Sequence, residues 1–148
     1  MPPVEFVIGA AHALEMVEAP PSTLALADWA ARLGQDLFYP PNVGGWPGGR
    51  AWITTRSALG RANFAAALVA GPGVGRPEPF DAVGLAAKHG RDGEAVLAFY
   101  GELLRGAAPT TAECDRILTA LRPNSGDPPA FARNAVALLL AAPEGQLG

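Results

Sequence analysis

An all-α fold of six to seven helices is what this 148-residue sequence predicts, on three observations. Apolar residues recur at steps of three and four through most of the chain, and no segment alternates convincingly at period two. The 18 glycines and 15 prolines show no collagen-like or elastic repeat, so they read as punctuation between periodic stretches. The expected arrangement is an irregular bundle interrupted by one long structured loop.

The elements follow in order. Val4, Val7, Ile8, Ala11 and Leu14 share one stripe, with Glu5, Glu15 and Glu18 elsewhere on the wheel, which predicts an amphipathic helix ending before Pro20 and Pro21. Ser22 or Thr23 can cap a second helix with Leu26, Trp29, Ala30 and Leu33 as its buried stripe, and Gly34 supplies a left-handed stop. Residues 35–49 hold three prolines and four glycines, which neither a helix nor a central strand accepts. Thr54 or Thr55 then caps a third helix running to about Ala70. It is apolar around most of its circumference apart from Arg56, Ser57, Arg61 and Asn63, so it should be buried on several sides.

Residues 71–79, Gly-Pro-Gly-Val-Gly-Arg-Pro-Glu-Pro, read as a linker. It would divide an N-terminal helical half, residues 1–70 with the aromatic loop at 35–53, from a C-terminal helical half, residues 80–148. In that second half a short segment runs from Asp81 to Gly90. Asp92 caps a helix with Val96, Phe99, Tyr100 and Leu103 on one face, ended by Gly106. Thr110 and Glu113 form a capping box for a helix buried through Cys114, Ile117, Leu118 and Leu121. Asp127 caps the last helix, which carries Pro128 and Pro129 in its first turn and Phe131, Ala135, Leu138, Leu139 and Ala142 as its stripe.

Composition narrows the function classes. With 49% hydrophobic and 17% charged residues the chain is too apolar to be disordered. A net charge of -3 gives no electrostatic footprint for nucleic acid or an anionic membrane surface. The most apolar run, residues 135–142, is far short of the roughly 20 residues that span a bilayer, and Pro143 closes it. The opening Met1-Pro2-Pro3-Val4-Glu5 lacks the basic and apolar regions of a secretory signal.

Candidate chemistry is sparse. Cys114 lies in register with Ile117, Leu118 and Leu121, where a free cysteine behaves as a small hydrophobe rather than a nucleophile. His12 edges an apolar stripe. His89 falls at a helix C-terminus, where an imidazolium suits the dipole. The two are too far apart in sequence to make a ligand pair, and the single cysteine adds no metal site. The 14 carboxylates fall at caps and polar faces, and Gly71, Gly73 and Gly75 lack the surroundings of a phosphate loop. No catalytic, metal-ligating or cofactor-binding residue is therefore assigned.

The segment from Leu37 to Ile53, LFYPPNVGGWPGGRAWI, differs in kind. Pro40 and Pro41 stiffen it, and the glycine pairs on either side of Trp46 allow positive φ and close backbone approach. Two readings stay open. In one, Phe38, Trp46, Trp52 and Ile53 fold back as a hydrophobic plug, with Arg50 paired to a helix. In the other, Tyr39, Asn42, Trp46, Arg50 and Trp52 form a ligand or partner surface, the aromatics acting as platforms and Arg50 as an anion clamp.

This loop, with PVEFVIGA at 3–10, RANFA at 61–65 and LLLAAPEGQ at 138–146, resembles the C-terminal region of the bacterial family of domains of unknown function 1800. The resemblance covers essentially the whole chain and implies a predominantly helical fold. It further implies an exported or periplasmic parent protein that carries a larger N-terminal portion. The family pattern near the end has Ser-Pro-Glu-Phe-Gln, whereas this chain has lost the aromatic at Gly145. The family brings no established catalytic residues.

Two function classes follow. The first is a non-enzymatic binding or assembly module whose loop engages a protein partner, the missing N-terminal portion or a surface polysaccharide; homo-oligomers are expected if apolar surface is exposed. The second is a fragment of a hydrolytic or carbohydrate-active enzyme, with Tyr39, Trp46 and Arg50 binding substrate and catalytic groups lying upstream.

Overall fold

Helix-capping chemistry sets the boundaries of most elements. The computed structural model describes residues 1–93, 95–122 and 126–143, and among these there are seven α-helices, two 3-10 turns and no strand. The helices are α1 (Pro3–Ala13), α2 (Thr23–Arg32), α3 (Thr55–Ala70), α4 (Ala82–Lys88), α5 (Ala95–Arg105), α6 (Thr111–Leu121) and α7 (Pro128–Ala141); the 3-10 turns are Gly49–Trp52 and Pro72–Val74.

Ser22, Thr54, Asp81, Thr110 and Asp127 each accept a backbone N–H two or three residues into their helix. At Thr54 and Thr110 the box closes in both directions, through Ser57 and Glu113. The α2 terminus is a Schellman motif: Gly34, at φ 103°, donates to the Ala31 carbonyl and Gln35 to that of Ala30. Residue 94, beside the start of α5, lies outside the described residues, so the capping expected of Asp92 is visible only as its carbonyl accepting from Ala95 N–H.

The helices gather around α3 and α7, the most extensively packed pair, with α4, α5 and α6 also on α7 and α1 beside α2. Phe64, Ala65 and Leu68 of α3 and Ala135, Val136 and Leu139 of α7 are all buried. Full burial of each larger side chain stabilises by about 1.5–3 kcal/mol. Residues 71–79 are folded as well. Val74 is buried, its carbonyl accepts from Ser22 N–H at 2.8 Å, and Trp29 Nε1 donates to the Gly73 carbonyl at 2.9 Å. Phe80 N–H donates to Val69 at 2.8 Å. The hydrophobic core is one cluster with members from α1 and from α3 to α7, and Leu26 and Trp29 of α2 pack against it.

Several stripe positions differ from expectation. Ile8, Leu118 and Leu138 are exposed rather than buried, Ile8 by 53%. Each lies at the edge of its stripe, and the neighbouring helices cover the other side instead, through Phe6 and Ala10 on α1 and Val136 and Leu140 on α7. On α3 the reversal is sharper: Leu59 is exposed while Ser57 and Arg61 are buried. Positions 57, 61, 64, 65 and 68 share one helical face, so the phase of the helix takes two polar residues inward with the apolar ones.

Two further buried polar side chains bond across elements, although Arg105 Nε has no hydrogen-bond partner. Tyr100 is fully buried and donates to the Ala82 carbonyl at 2.6 Å; burial first, then Asp81 and Glu15, push its phenol pKa up. Arg105 Nη1 donates to Glu113 Oε1 at 2.6 Å, joining α5 to α6.

Two outcomes are expected. Gly71 sits at φ 99°, and a Cβ there would run into the Glu78 backbone carbonyl. Gly71→Ala should therefore cost at least about 2 kcal/mol in urea unfolding, and a neutral result would contradict the turn. Arg105 first, then Thr110, hold the Glu113 carboxyl at about 2 against an ordinary 4.5. A depressed carboxyl stabilises the fold above its unfolded pKa and loses that contribution as pH falls through the folded one. Melting temperature should thus drop between about pH 4.5 and pH 2, with a shallower slope in Glu113→Gln.

Candidate functional site

The loop at 35–53 is anchored at both ends and displayed between them. At its start Gln35 Oε1 accepts from Val4 N–H at 3.0 Å, tying the α2 terminus to the first turn of α1. At its end the Ser57 hydroxyl donates to the Trp52 carbonyl at 2.8 Å, from within the α3 capping box. Between the anchors the hydrogen bonds among the described residues are local turns. Tyr39 N–H donates to the Asp36 carbonyl at 3.1 Å across Phe38, and Asn42 Oδ1 accepts from Gly44 N–H at 2.8 Å as an Asx turn.

The predicted residues separate. Trp52 is 7% exposed and supports the loop from below. A buried ring offers no free face for a ligand to stack on. Trp46 is half-buried, Tyr39 is exposed and Asn42 is exposed with its amide oxygen committed to the turn. The Arg50 backbone belongs to the 3-10 turn Gly49–Trp52, but its side chain lies outside the described residues. The plug reading fits Trp52 and, in part, half-buried Trp46, but not Ile53, which is exposed, or Phe38, which is 90% exposed.

Phe38 also stands out in its backbone. Its φ of 74° is left-handed, a conformation that costs an L-residue about 1–2 kcal/mol. An aromatic side chain there gains no burial in return. Tyr39 and Val43, one and five residues further along the same loop, are exposed as well, and the three form the crest of the loop in sequence. Leu37, at the foot of the crest, lines a shallow groove of about 110 Å³ with Val4, Ile8, Leu26 and Ala27. That groove was hidden in the sequence because Ile8 and Leu37 are 29 positions apart, and stripe counting places Ile8 inside.

Other groups singled out by sequence have structural partners. His89 Nε2 lies 2.8 Å from Glu15 Oε1, linking the ends of α4 and α1, and its ring stands 5.2 Å from that of Phe99. The dipole reading of His89 did not foresee this contact, which spans 74 residues. Cys114 is half-buried, with its thiol directed to the Pro109 carbonyl at 3.9 Å. His12 is exposed. A cleft of about 720 Å³ between the α1 end and α4 is lined by Glu15, Arg76 and Asp81. Three of the five charged residues that line it have partners: Arg76 donates to the Ala19 carbonyl at 2.7 Å, Asp81 accepts from Gly84 N–H at 2.8 Å and Glu15 meets His89, while Glu18 and Lys88 complete the lining. Among the described residues no three His, Cys, Asp or Glu gather to hold a metal, and no helix is long and apolar enough to cross a membrane.

Fold and loop together define an all-helical protein that holds an aromatic, glycine-rich loop away from its core. The chain belongs to the family described as protein of unknown function DUF1800, which matches residues 2–147. No curated protein and no solved structure matches it.

The tryptophan placements predict a quenching order. In single-tryptophan variants acrylamide should reach Trp46 more readily than Trp52, since Trp46 is half-buried and Trp52 buried. Equal quenching would contradict the anchoring of Trp52 beneath the loop.

Proposed function

We propose that this domain is a non-enzymatic binding module, and that the crest at Phe38, Tyr39 and Val43 docks onto an apolar surface of a protein partner. The observation that supports it is Phe38, an aromatic that is 90% exposed and held at φ 74°. Neither feature helps the isolated domain. Exposing the ring forgoes burial, and the left-handed backbone costs stability. Strain of this kind is retained where a function uses it. The two prolines after Tyr39 limit the conformations of the crest, so less entropy is lost when a partner orders it.

A displayed loop on a helical base suits a docking role for a second reason. The anchors, Gln35 to Val4 and Ser57 to Trp52, fix where the loop leaves and rejoins the bundle, while Phe38, Tyr39 and Val43 of the crest are exposed. The crest can therefore adapt to a partner without disturbing the core.

The test separates stability from binding. Phe38→Gly removes the strained side chain and should raise unfolding free energy by roughly 0.5–1 kcal/mol. A photo-reactive phenylalanine analogue in place of Tyr39, used in cells that make the protein, should give a discrete adduct with another polypeptide. The adduct should disappear when Phe38→Gly and Val43→Ser are combined with it. An adduct that persists in the combined variant, or none at position 39, removes this reading.

A further inference from the structure

The face of α3 that carries Arg61 against Phe6 of α1 holds a charge with no counter-charge among the described residues. Arg61 is fully buried, one turn after Ser57 and one turn before Phe64. Nη2 donates to the Met1 carbonyl at 2.6 Å, and the guanidinium carbon stands 4.8 Å from the centre of the Phe6 ring. Nε and Nη1 are shielded from solvent and have no hydrogen-bond partner. The ion pairs among the described residues lie elsewhere, at Arg32 with Asp28, His89 with Glu15, and Arg105 with Glu113.

A guanidinium keeps its charge under all ordinary conditions, so burial cannot be relieved by losing the proton. The Phe6 ring and one carbonyl offset part of the cost of desolvation. Three N–H groups still go unused, one on Nε and two on Nη1. A neutral acceptor would satisfy those donors and leave the charge. A carboxylate does both, and its two oxygens match the planar fork formed by the second N–H of Nη2 with a neighbouring nitrogen.

We infer that Arg61 is a carboxylate-binding site, entered where the Met1 backbone now meets the guanidinium. Met1 is only half-buried and precedes the first helical turn. Moving Met1 aside also releases Nη2, so the anion replaces one carbonyl contact with a charge-assisted pair. The carboxylate can come from a small free acid or from an Asp or Glu side chain of a polypeptide; the chemistry at Arg61 is the same. The site goes beyond the docking role of the crest and does not depend on it, although Ser57 connects the two by holding Trp52 one turn away.

Thermal melts of the full chain test this, with sodium acetate compared against sodium chloride at equal ionic strength. Acetate at several hundred millimolar should raise the wild-type melting temperature by about 2–5 °C over chloride, and Arg61→Met should show no such difference. The tripeptide acetyl-Leu-Glu-Leu-amide and its Gln counterpart separate the sources. A Glu-specific rise identifies a polypeptide carboxylate, and a rise with acetate alone identifies a free acid. Equal responses of wild type and Arg61→Met to both probes would overturn the site. Should Arg61→Met fail to fold, the nitrogen-15 resonance of Arg61 Nε–H in the wild type decides: acetate shifts it if the site exists, and an unmoved resonance overturns the proposal.

Discussion

The packing of α3 onto α7 and, through the Phe64 ring, onto Phe6 of α1 and Trp29 of α2 leaves Phe64, Ala65 and Leu68 buried, as are Ala135, Val136 and Leu139 of α7, on which α4, α5 and α6 also lean. Once that contact sets the rotation of α3, every residue in phase with Phe64 goes inside. Ser57 and Arg61 are in phase. Ser57 turns this to use by capping its own helix and holding the Trp52 carbonyl, so the contact that builds the core also decides where the loop rejoins the bundle. Burial of the four larger side chains among those six is worth on the order of 10 kcal/mol, against about 1–2 kcal/mol for one left-handed aromatic. The scaffold can carry the strain at Phe38 without losing its fold.

Local chemistry was legible in the sequence and long-range phase was not. Ser22, Thr54, Thr110 and Asp127 were readable as caps because capping involves residues three positions apart. Gly34, Gly90 and Gly106 were readable as stops, and all three have positive φ. Ile8, Leu118 and Leu138 could not be assigned to the surface, since each lies at a stripe edge whose fate depends on the helix beside it. Glycine and proline at 71–79 exclude a long helix, yet they permit a 3-10 turn, and only the donors on Ser22 and Trp29 reveal that this one is bound to the bundle.

The loop shows the same division. Its composition announced a shaped, aromatic segment, but not which aromatic turns inward. Trp52 is drawn down because its carbonyl meets Ser57 at the start of α3, whereas Phe38 is carried outward by the turn from Asp36 to Tyr39. Arg61 was missed because a charged residue on an amphipathic helix is ordinarily solvated. The available signal was its spacing, four after Ser57 and three before Phe64, which places it on the core face regardless of its charge. The crest and the buried guanidinium are thus two unsatisfied features, one apolar and exposed, the other charged and enclosed.

Hydrogen exchange resolved by residue is the most direct measurement of whether the bundle holds its shape independently of the loop it displays. Amides in the middle of α3 and α7 should exchange only through global opening, while those of residues 37–48, held by a few local turn bonds, should exchange faster by orders of magnitude. Protection of residues 37–48 equal to that of α3 would contradict this account, because the loop would then be part of the core instead of a surface carried by it.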